Sequence, residues 1–441
     1  MRRAAGAALA DLLRSAAFAR AYTLAALTLG FLAGAIQRVN GIVTATTIIA
    51  GLAAIGIGIL VARRDELSFI GFAPTSLLAF LAWSIVSLAW ALDGAGARTL
   101  AAWLALLGWA AIAVTIAHVR DTLQIARAMG DVLRWLLAAS LAIEVWSGII
   151  FDEPLEALGV KGLIAYGGPV QGLFGSRNVL GFVAVLALIT FVIEWRARAV
   201  ARRVAVYSII LAGVLVVLSG SPTALVTIVL VIVAELALSY ARRTPPARRR
   251  GVDAVIGGAT LIGIALALVM HRQVAQFFAS RSGFGTRTVL WQETIEWIGR
   301  RPVTGWSLFG TWHDEPFPTN VINLTLSSPN YSGLNAYLDV LLQLGWVGLL
   351  LFAMIGGVAL VRAWLAAADR RSVVHAWLPL MLVALLVTSV FESYTLTGIG
   401  WMLLAMCAVR AGRERSWRLS IDPTAPVPPP ARPQGGDRSD R

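Results

Sequence analysis

Lysine is almost missing from this chain: Lys161 is the only one, and arginine supplies the rest of the 37 basic residues. Coding bias accounts for that more economically than selection for guanidinium chemistry, so arginine content alone is no sign of function. Cysteine is equally scarce. Cys407 stands by itself in an apolar run, which excludes an intramolecular disulfide. The four histidines, His118, His271, His313 and His375, are scattered without HExxH or clustered Cys/His spacing, so no metal centre is expected. No G-x-S-x-G elbow, P-loop or dinucleotide fingerprint occurs, and no cofactor is expected. Charge is the largest deficit. Charged residues make up 14%, against about a quarter in soluble domains. No soluble-looking block of domain size is present.

What fills the chain instead is apolar sequence: 58% of the 441 residues are hydrophobic and the mean hydropathy is +0.75. A membrane span needs about 20 mostly apolar residues. Such runs centre on 21–37, 41–62, 69–91, 98–118, 132–151, 174–193, 204–219, 222–240, 252–270, 335–361, 374–391 and 394–411. The expectation is an all-α polytopic bundle of about twelve transmembrane helices. The formal charge of +13 lies in clusters between these runs, the footprint of membrane topology and not of a nucleic-acid-reading face. Arginines gather in alternate connectors: Arg63-Arg64; Arg120/Arg127/Arg134; Arg196 to Arg203; Arg242 to Arg250; Arg362/Arg370/Arg371; Arg410 to Arg418. The positive-inside rule then puts both termini in the cytoplasm. Arg2, Arg3, Arg14 and Arg20 precede no small-residue cleavage site, so no cleaved signal peptide is read. Residues 1–420 form the membrane domain in this reading. Residues 421–441, rich in proline and charge, are expected to be a disordered cytoplasmic tail.

One stretch breaks the pattern. Residues 271–334 form a long polar loop on the outward side, carrying Arg272, Arg281, Arg287, Arg300 and Arg301 where arginine is otherwise avoided. Arginine kept against the topological bias needs a carboxylate or an anionic ligand. Within the loop, Thr288 to Arg301 reads as a short helix with Leu290, Trp291, Thr294, Trp297 and Ile298 on one face, suited to lying on the membrane surface. Pro302 ends it. Long non-repetitive loops are usually functional.

Three stretches carry a recognisable arrangement. Gly172-Leu-Phe-Gly-Ser-Arg-Asn-Val-Leu-Gly181 places Arg177 and Asn178 at the outer end of a span. Leu218-Ser-Gly-Ser-Pro-Thr-Ala224 is a small-residue outward turn. Gly285-Thr-Arg-Thr-Val-Leu-Trp291, Arg301-Pro-Val-Thr-Gly-Trp306 and Phe309-Gly-Thr-Trp312 then lead into Leu334-Asn-Ala-Tyr-Leu-Asp339 and on to Gly348. In order and topology these resemble the O-antigen ligase and polymerase superfamily, especially its exopolysaccharide-polymerase branch, over roughly residues 80–410. The resemblance implies a metal-independent bacterial glycosyltransferase of the cytoplasmic (inner) membrane. Such an enzyme takes a saccharide from a polyprenyl (undecaprenyl) diphosphate and joins it to an acceptor hydroxyl in building the cell envelope. Its partners are then the lipid-linked saccharide, membrane lipids and other polysaccharide-assembly proteins, with no nucleic acid.

On this resemblance Arg287 and Asp339 are the expected catalytic residues. Arg177, Asn178, Arg281, Trp291, Arg300, Arg301 and Asn335 are the expected substrate contacts. Arginine forks suit a diphosphate because they bind it bidentately. Two positions depart from the pattern: Leu334 stands where the family has a histidine, and Pro222 stands where many members carry a basic residue. With that histidine gone, Asp339, one turn from Asn335 on the same helix face, is the nearest proton acceptor; His313 and Glu392 lie further off. Twelve helices also fit a transporter or a saccharide flippase, the rival reading.

Overall fold

The computed structural model describes residues 9–67, 71–92, 94–270, 284–312 and 316–414. Residues 271–283, His313 and the stretch 415–441 fall outside it, and with them the calls on Arg281, His313 and the proline-rich tail. No β-strand occurs among the described residues.

Among the described residues the chain has thirteen principal α-helices: α1 Ala16–Ala62, α2 Thr75–Val86, α3 Gly96–Val119, α4 Thr122–Val145, α5 Arg177–Arg196, α6 Arg202–Ser219, α7 Pro222–Arg243, α8 Pro246–Val269, α9 Phe284–Arg300, α10 Thr319–Leu326, α11 Ala336–Asp369, α12 Trp377–Phe391 and α13 Gly398–Glu414. Local sequence sets several of the starts. Asp121 and Gln124 cap α4 reciprocally. Ser221 caps α7 with Pro222 in its first turn, and the Asn335 side chain accepts from Tyr337 N and Leu338 N, 3.0 and 3.1 Å, at the head of α11.

Eight of these helices are long and apolar enough to cross a membrane, so the protein is an all-α multi-pass membrane protein. The expected twelve exceeds that number partly because α1 holds two runs in one element. Its 47 residues break at Gly41, where φ is +82°, and its arms turn back on each other: Arg14 Nε donates to Ala62 O at 2.7 Å and Tyr22 Oη to Leu52 O at 3.1 Å. Gly41 is therefore the tip of a hairpin. Buried residues run almost continuously through α5, α12 and α13, which form the centre of the bundle; Trp377 and Trp401 are fully enclosed. Much of α6, α7 and α8 is exposed and apolar (Val217, Val229, Leu236, Leu261), as for lipid-facing surface.

The second break is in α11, at Gly345, φ +66°. Loop backbone fills it. Trp346 N donates to Pro302 O and Trp306 N to Leu342 O, both at 2.9 Å. A Cβ at Gly345 would overlap Val303 O, and one at Gly305 (φ +67°) would overlap the Gln343 backbone, so both glycines are required for the contact. The Gln343 side chain accepts from Phe309 N (3.0 Å) and Gly310 N (2.8 Å) and donates to Gly310 O (3.0 Å). Polar backbone freed by the broken helix is thus satisfied by protein, as an apolar surrounding demands.

The loop consequently has a core of its own. Leu290, Trp297, Ile298, Trp306, Phe309, Trp312 and Ile322 pack on Leu341 and Leu342 of α11. The face of α9 expected to lie on the membrane surface faces this core instead. Tryptophan rings supply enough apolar area to make burial against protein the better solution.

Candidate functional site

Among the described residues the arginine-rich connectors meet at one end of the bundle, where Arg413 bonds Ala117 O, Arg410 bonds Arg120 O and Arg242 bonds Arg371 O; the three recognisable stretches and the loop core meet away from it. At that loop end, four separate segments meet through one hydrogen-bonded chain. Ser221 Oγ donates to Asn178 Oδ1 at 3.0 Å. Asn178 Nδ2 donates to Glu392 Oε1 at 2.9 Å, and Arg287 NH2 donates to the same oxygen at 2.7 Å. A further Arg287 nitrogen donates to Phe391 O. Arg287 and Glu392 are both buried, at 9% and 3% exposure, so this is an ion pair largely shielded from water and expensive to break from one side. Burial pushes the Glu392 carboxyl above its ordinary range, and the Arg287 guanidinium beside it pulls in the opposite direction.

The segment carrying Arg177 and Asn178 is held from below by α4. Glu144 Oε1 accepts from Gln171 N and Gly172 N at 2.6 and 2.7 Å, and Ser140 Oγ accepts from Leu173 N at 3.2 Å. A Cβ on Gly172 would press to 2.5 Å from that of Ser140, which explains the glycine. Arg177 itself, in the first turn of α5, is exposed and has no hydrogen-bond or ion-pair partner among the described residues.

Asp339 organises a second knot. It is 2% exposed. Trp312 Nε1 donates to Oδ1 at 2.8 Å, Gly333 N to Oδ2 at 3.0 Å, and Ser393 Oγ also donates to Oδ2. Ser393 Oγ in turn accepts from Asn335 N at 3.2 Å. Glu392 and Ser393 are neighbours in the turn between α12 and α13, so this turn joins the Arg287 knot to the Asp339 knot. Leu334, beside it, is held at φ +48°, a conformation that costs a side-chain-bearing residue roughly 1–2 kcal/mol; its side chain packs against the loop core.

The remaining expected contacts are dispersed around this centre. Trp291 Nε1 donates to Gly333 O at 2.9 Å. The Arg300 guanidinium lies 4.0 Å from the Trp297 ring centroid and 3.6 Å from Glu296, and that of Arg301 lies 4.5 Å from the Trp306 centroid. Both arginines are therefore engaged by aromatic faces. Trp312 and Trp306 are core residues of the loop. Among the described residues no three His, Cys, Asp or Glu side chains gather as a metal-binding set.

Sequence reading underrated three groups here. Glu392 entered only as a distant alternative, and Ser393 and Glu144 not at all, because a short polar turn or one carboxylate in an apolar run carries no spacing signal. Arg38 was also missed. With apolar runs at 21–37 and 41–62, it falls in the connector at the Gly41 hairpin tip, on the arginine-poor side, a further exception beside the long loop.

Fold and site together define a multi-pass helical membrane protein whose buried polar chemistry is gathered at one end, between the bundle and a folded loop. Residues 207–353, from α6 into α11 and including Ser221, Arg287 and Asp339, match the family model described as O-antigen ligase. The match supports the O-antigen ligase and polymerase superfamily and a function of that general kind. No curated protein matches the chain.

Proposed function

We propose that this protein is a glycosyltransferase of the cytoplasmic membrane. It moves a saccharide from a polyprenyl diphosphate to an acceptor hydroxyl on the outer face, as polymerase or ligase, with both termini in the cytoplasm. The observation that carries the reading is the chain Ser221–Asn178–Glu392–Arg287. It ties the α5 stretch, the small-residue turn and the long loop, all drawn from the family resemblance, to one point at the loop end.

Arg177 and Arg287 hold the donor diphosphate, with Arg281 from the loop. Asn178 and Asn335 orient the ends of α5 and α11 around it, and Trp291, Arg300 and Arg301 face the saccharide. In the reaction the acceptor oxygen attacks the anomeric carbon, the bond from that carbon to the phosphate oxygen breaks, and its electron pair leaves with the diphosphate. Each charge-assisted bond to that leaving group is worth about 1.5–3 kcal/mol and gains strength as charge develops. The acceptor proton goes to Asp339. Because Asp339 is enclosed, the proton travels through Ser393, whose hydroxyl already donates to Oδ2: Ser393 accepts the acceptor's proton as it passes its own to Asp339.

The test is the glycan phenotype of a strain carrying Arg287→Ala. Accumulated single lipid-linked repeat units mean polymerase, and accumulated full-length lipid-linked chains mean ligase. Normal glycans with defective passage of another solute would replace this reading with a transporter. Orientation is tested separately: a cysteine at Ser328 should react with an impermeant thiol reagent added to intact cells, and one at Ala247 should not.

A further inference from the structure

Arg38 sits three residues before the Gly41 hairpin tip of α1. It belongs neither to the stretches that resemble the superfamily nor to the matched region 207–353. A guanidinium at such a place ordinarily reaches outward to the membrane surface. This one turns back onto the protein: Arg38 NH2 donates to Leu173 O at 3.0 Å, and its guanidinium lies against Gly175, where a Cβ would lie 2.6 Å from Cζ and 2.7 Å from NH2. Gly175 is at φ +66°, so glycine is needed there twice over, for the turn and for the guanidinium. Arg38 is thereby fixed to the segment that presents Arg177 two residues later. Neither arginine has an ion-pair partner among the described residues, whereas the charge of Arg287 is balanced by Glu392.

Two guanidinium groups with no ion-pair partner among the described residues, Arg177 on this segment and Arg38 held against it, lie on the side where arginine is sparse and call for an anion. The surroundings say which kind. Immediately beside Arg38 the hairpin exposes Val39 (54%), Ile42 (56%) and Val43 (73%), an apolar strip next to a guanidinium. That arrangement fits a ligand with a hydrocarbon chain on one side and phosphate on the other. We infer that Arg38, with Arg177, binds the diphosphate of the polyprenyl-linked donor as it arrives from the bilayer, its chain lying along Val39, Ile42 and Val43. The inference rests on the function proposed above and adds a binding residue and an entry side to it.

Binding is tested with geranylgeranyl diphosphate as probe, on the full-length protein in phosphatidylcholine nanodiscs. Arg38→Ala should weaken binding about tenfold, and Arg38→Lys should recover part of the loss by keeping the charge. Arg38→Gln, which keeps a donor for Leu173 O but no charge, should behave like the alanine variant. Rescue by glutamine and not by lysine would make Arg38 a positioning residue for the turn and overturn the inference. So would wild-type affinity in Arg38→Ala while Arg177→Ala binds weakly. Competition by phosphatidylglycerol at equal headgroup concentration would assign the site to a bilayer phospholipid and likewise overturn it. No binding by the wild-type protein would remove the donor assignment itself, and this inference with it.

Discussion

The two ends of the helical bundle use the same residue for opposite purposes. At the arginine-rich end several guanidinium groups close off helix ends, while Arg134 pairs with the buried Glu194 at 2.7 Å. Arg413 donates to Ala117 O and His118 O at 3.3 and 3.1 Å, at the C-terminus of α3. Arg242 donates to Arg371 O at 2.7 Å, and Arg63 to Arg14 O at 2.6 Å. Carbonyls left over at helix C-termini attract cations, so these contacts are topology turned into modest stability. At the loop end the partners are a buried carboxylate for Arg287, tryptophan faces for Arg300 and Arg301, and no described partner for Arg177. What an arginine does here is decided by its surroundings: carbonyls already orphaned by a helix make a cap, an enclosed carboxylate makes a buried ion pair at either end, as Arg134 with Glu194 shows, and the loop end adds a charge with no described counter-ion.

The sharpest way to break that contrast is Arg287→Ala. Transfer should fall by about a hundredfold or more, in the range for loss of a group aimed at developing charge. The variant should also lose about 3–5 kcal/mol of stability, because Glu392 stays buried without its counter-charge. Arg287→Met with Glu392→Gln should regain most of the thermal stability and none of the transfer. If it regained both, Arg287 would be purely structural. The stability cost has a pH signature. With the guanidinium gone, the Glu392 carboxyl rises further above the ordinary value of 4.5. A raised carboxyl stabilises the fold where it is protonated, so the single variant should come closest to wild type below that value and fall away as pH increases through the raised one.

Next in size is the Asp339 knot. Asp339→Asn and Ser393→Ala should each lower transfer by about a hundredfold, the lower edge of the span for general-base catalysis. His313→Ala should keep most of it. A dead His313→Ala beside a healthy Asp339→Asn would move the proton acceptor into the loop. Arg177→Ala separates binding from folding: exposed and with no partner among the described residues, it should change stability by less than about 0.5 kcal/mol while raising the KM for donor. The smallest effect belongs to the opposite end. Arg413→Ala should leave transfer unchanged and cost about 1 kcal/mol or less; a transfer defect there would erase the distinction between the ends.

Much of the fold was written in the spacing of apolar runs, since span length and arginine placement are set by the bilayer and not by tertiary detail. The caps at Asp121, Ser221 and Asn335 are equally local and equally readable. The site was legible only as separate stretches. Asn178, Ser221 and Arg287 could be picked out by resemblance, but their meeting point, Glu392, sits in a four-residue polar turn that looks like any connector between spans. The tryptophans misled for a related reason. An amphipathic helix next to a membrane has the same periodicity whether its apolar face meets lipid or protein, and only the presence of Leu341 and Leu342 opposite Trp297 and Trp306 decides the matter. Asp339 was found by helix register, while the three donors enclosing it come from positions 312, 333 and 393, distances no local pattern spans.

The seam between Gly345 and residues 302–306 has a mechanical consequence. Backbone is bonded to backbone across it, with Gln343 riveting the next turn at Phe309 and Gly310, so the descending strand of the loop moves only if α11 itself comes apart. It is a fixed jamb. α9 leans on the same jamb, with Leu290, Trp297 and Ile298 buried against Leu341 and Leu342 and Trp291 bonded to Gly333 O, so loop and helix shift as one piece or not at all.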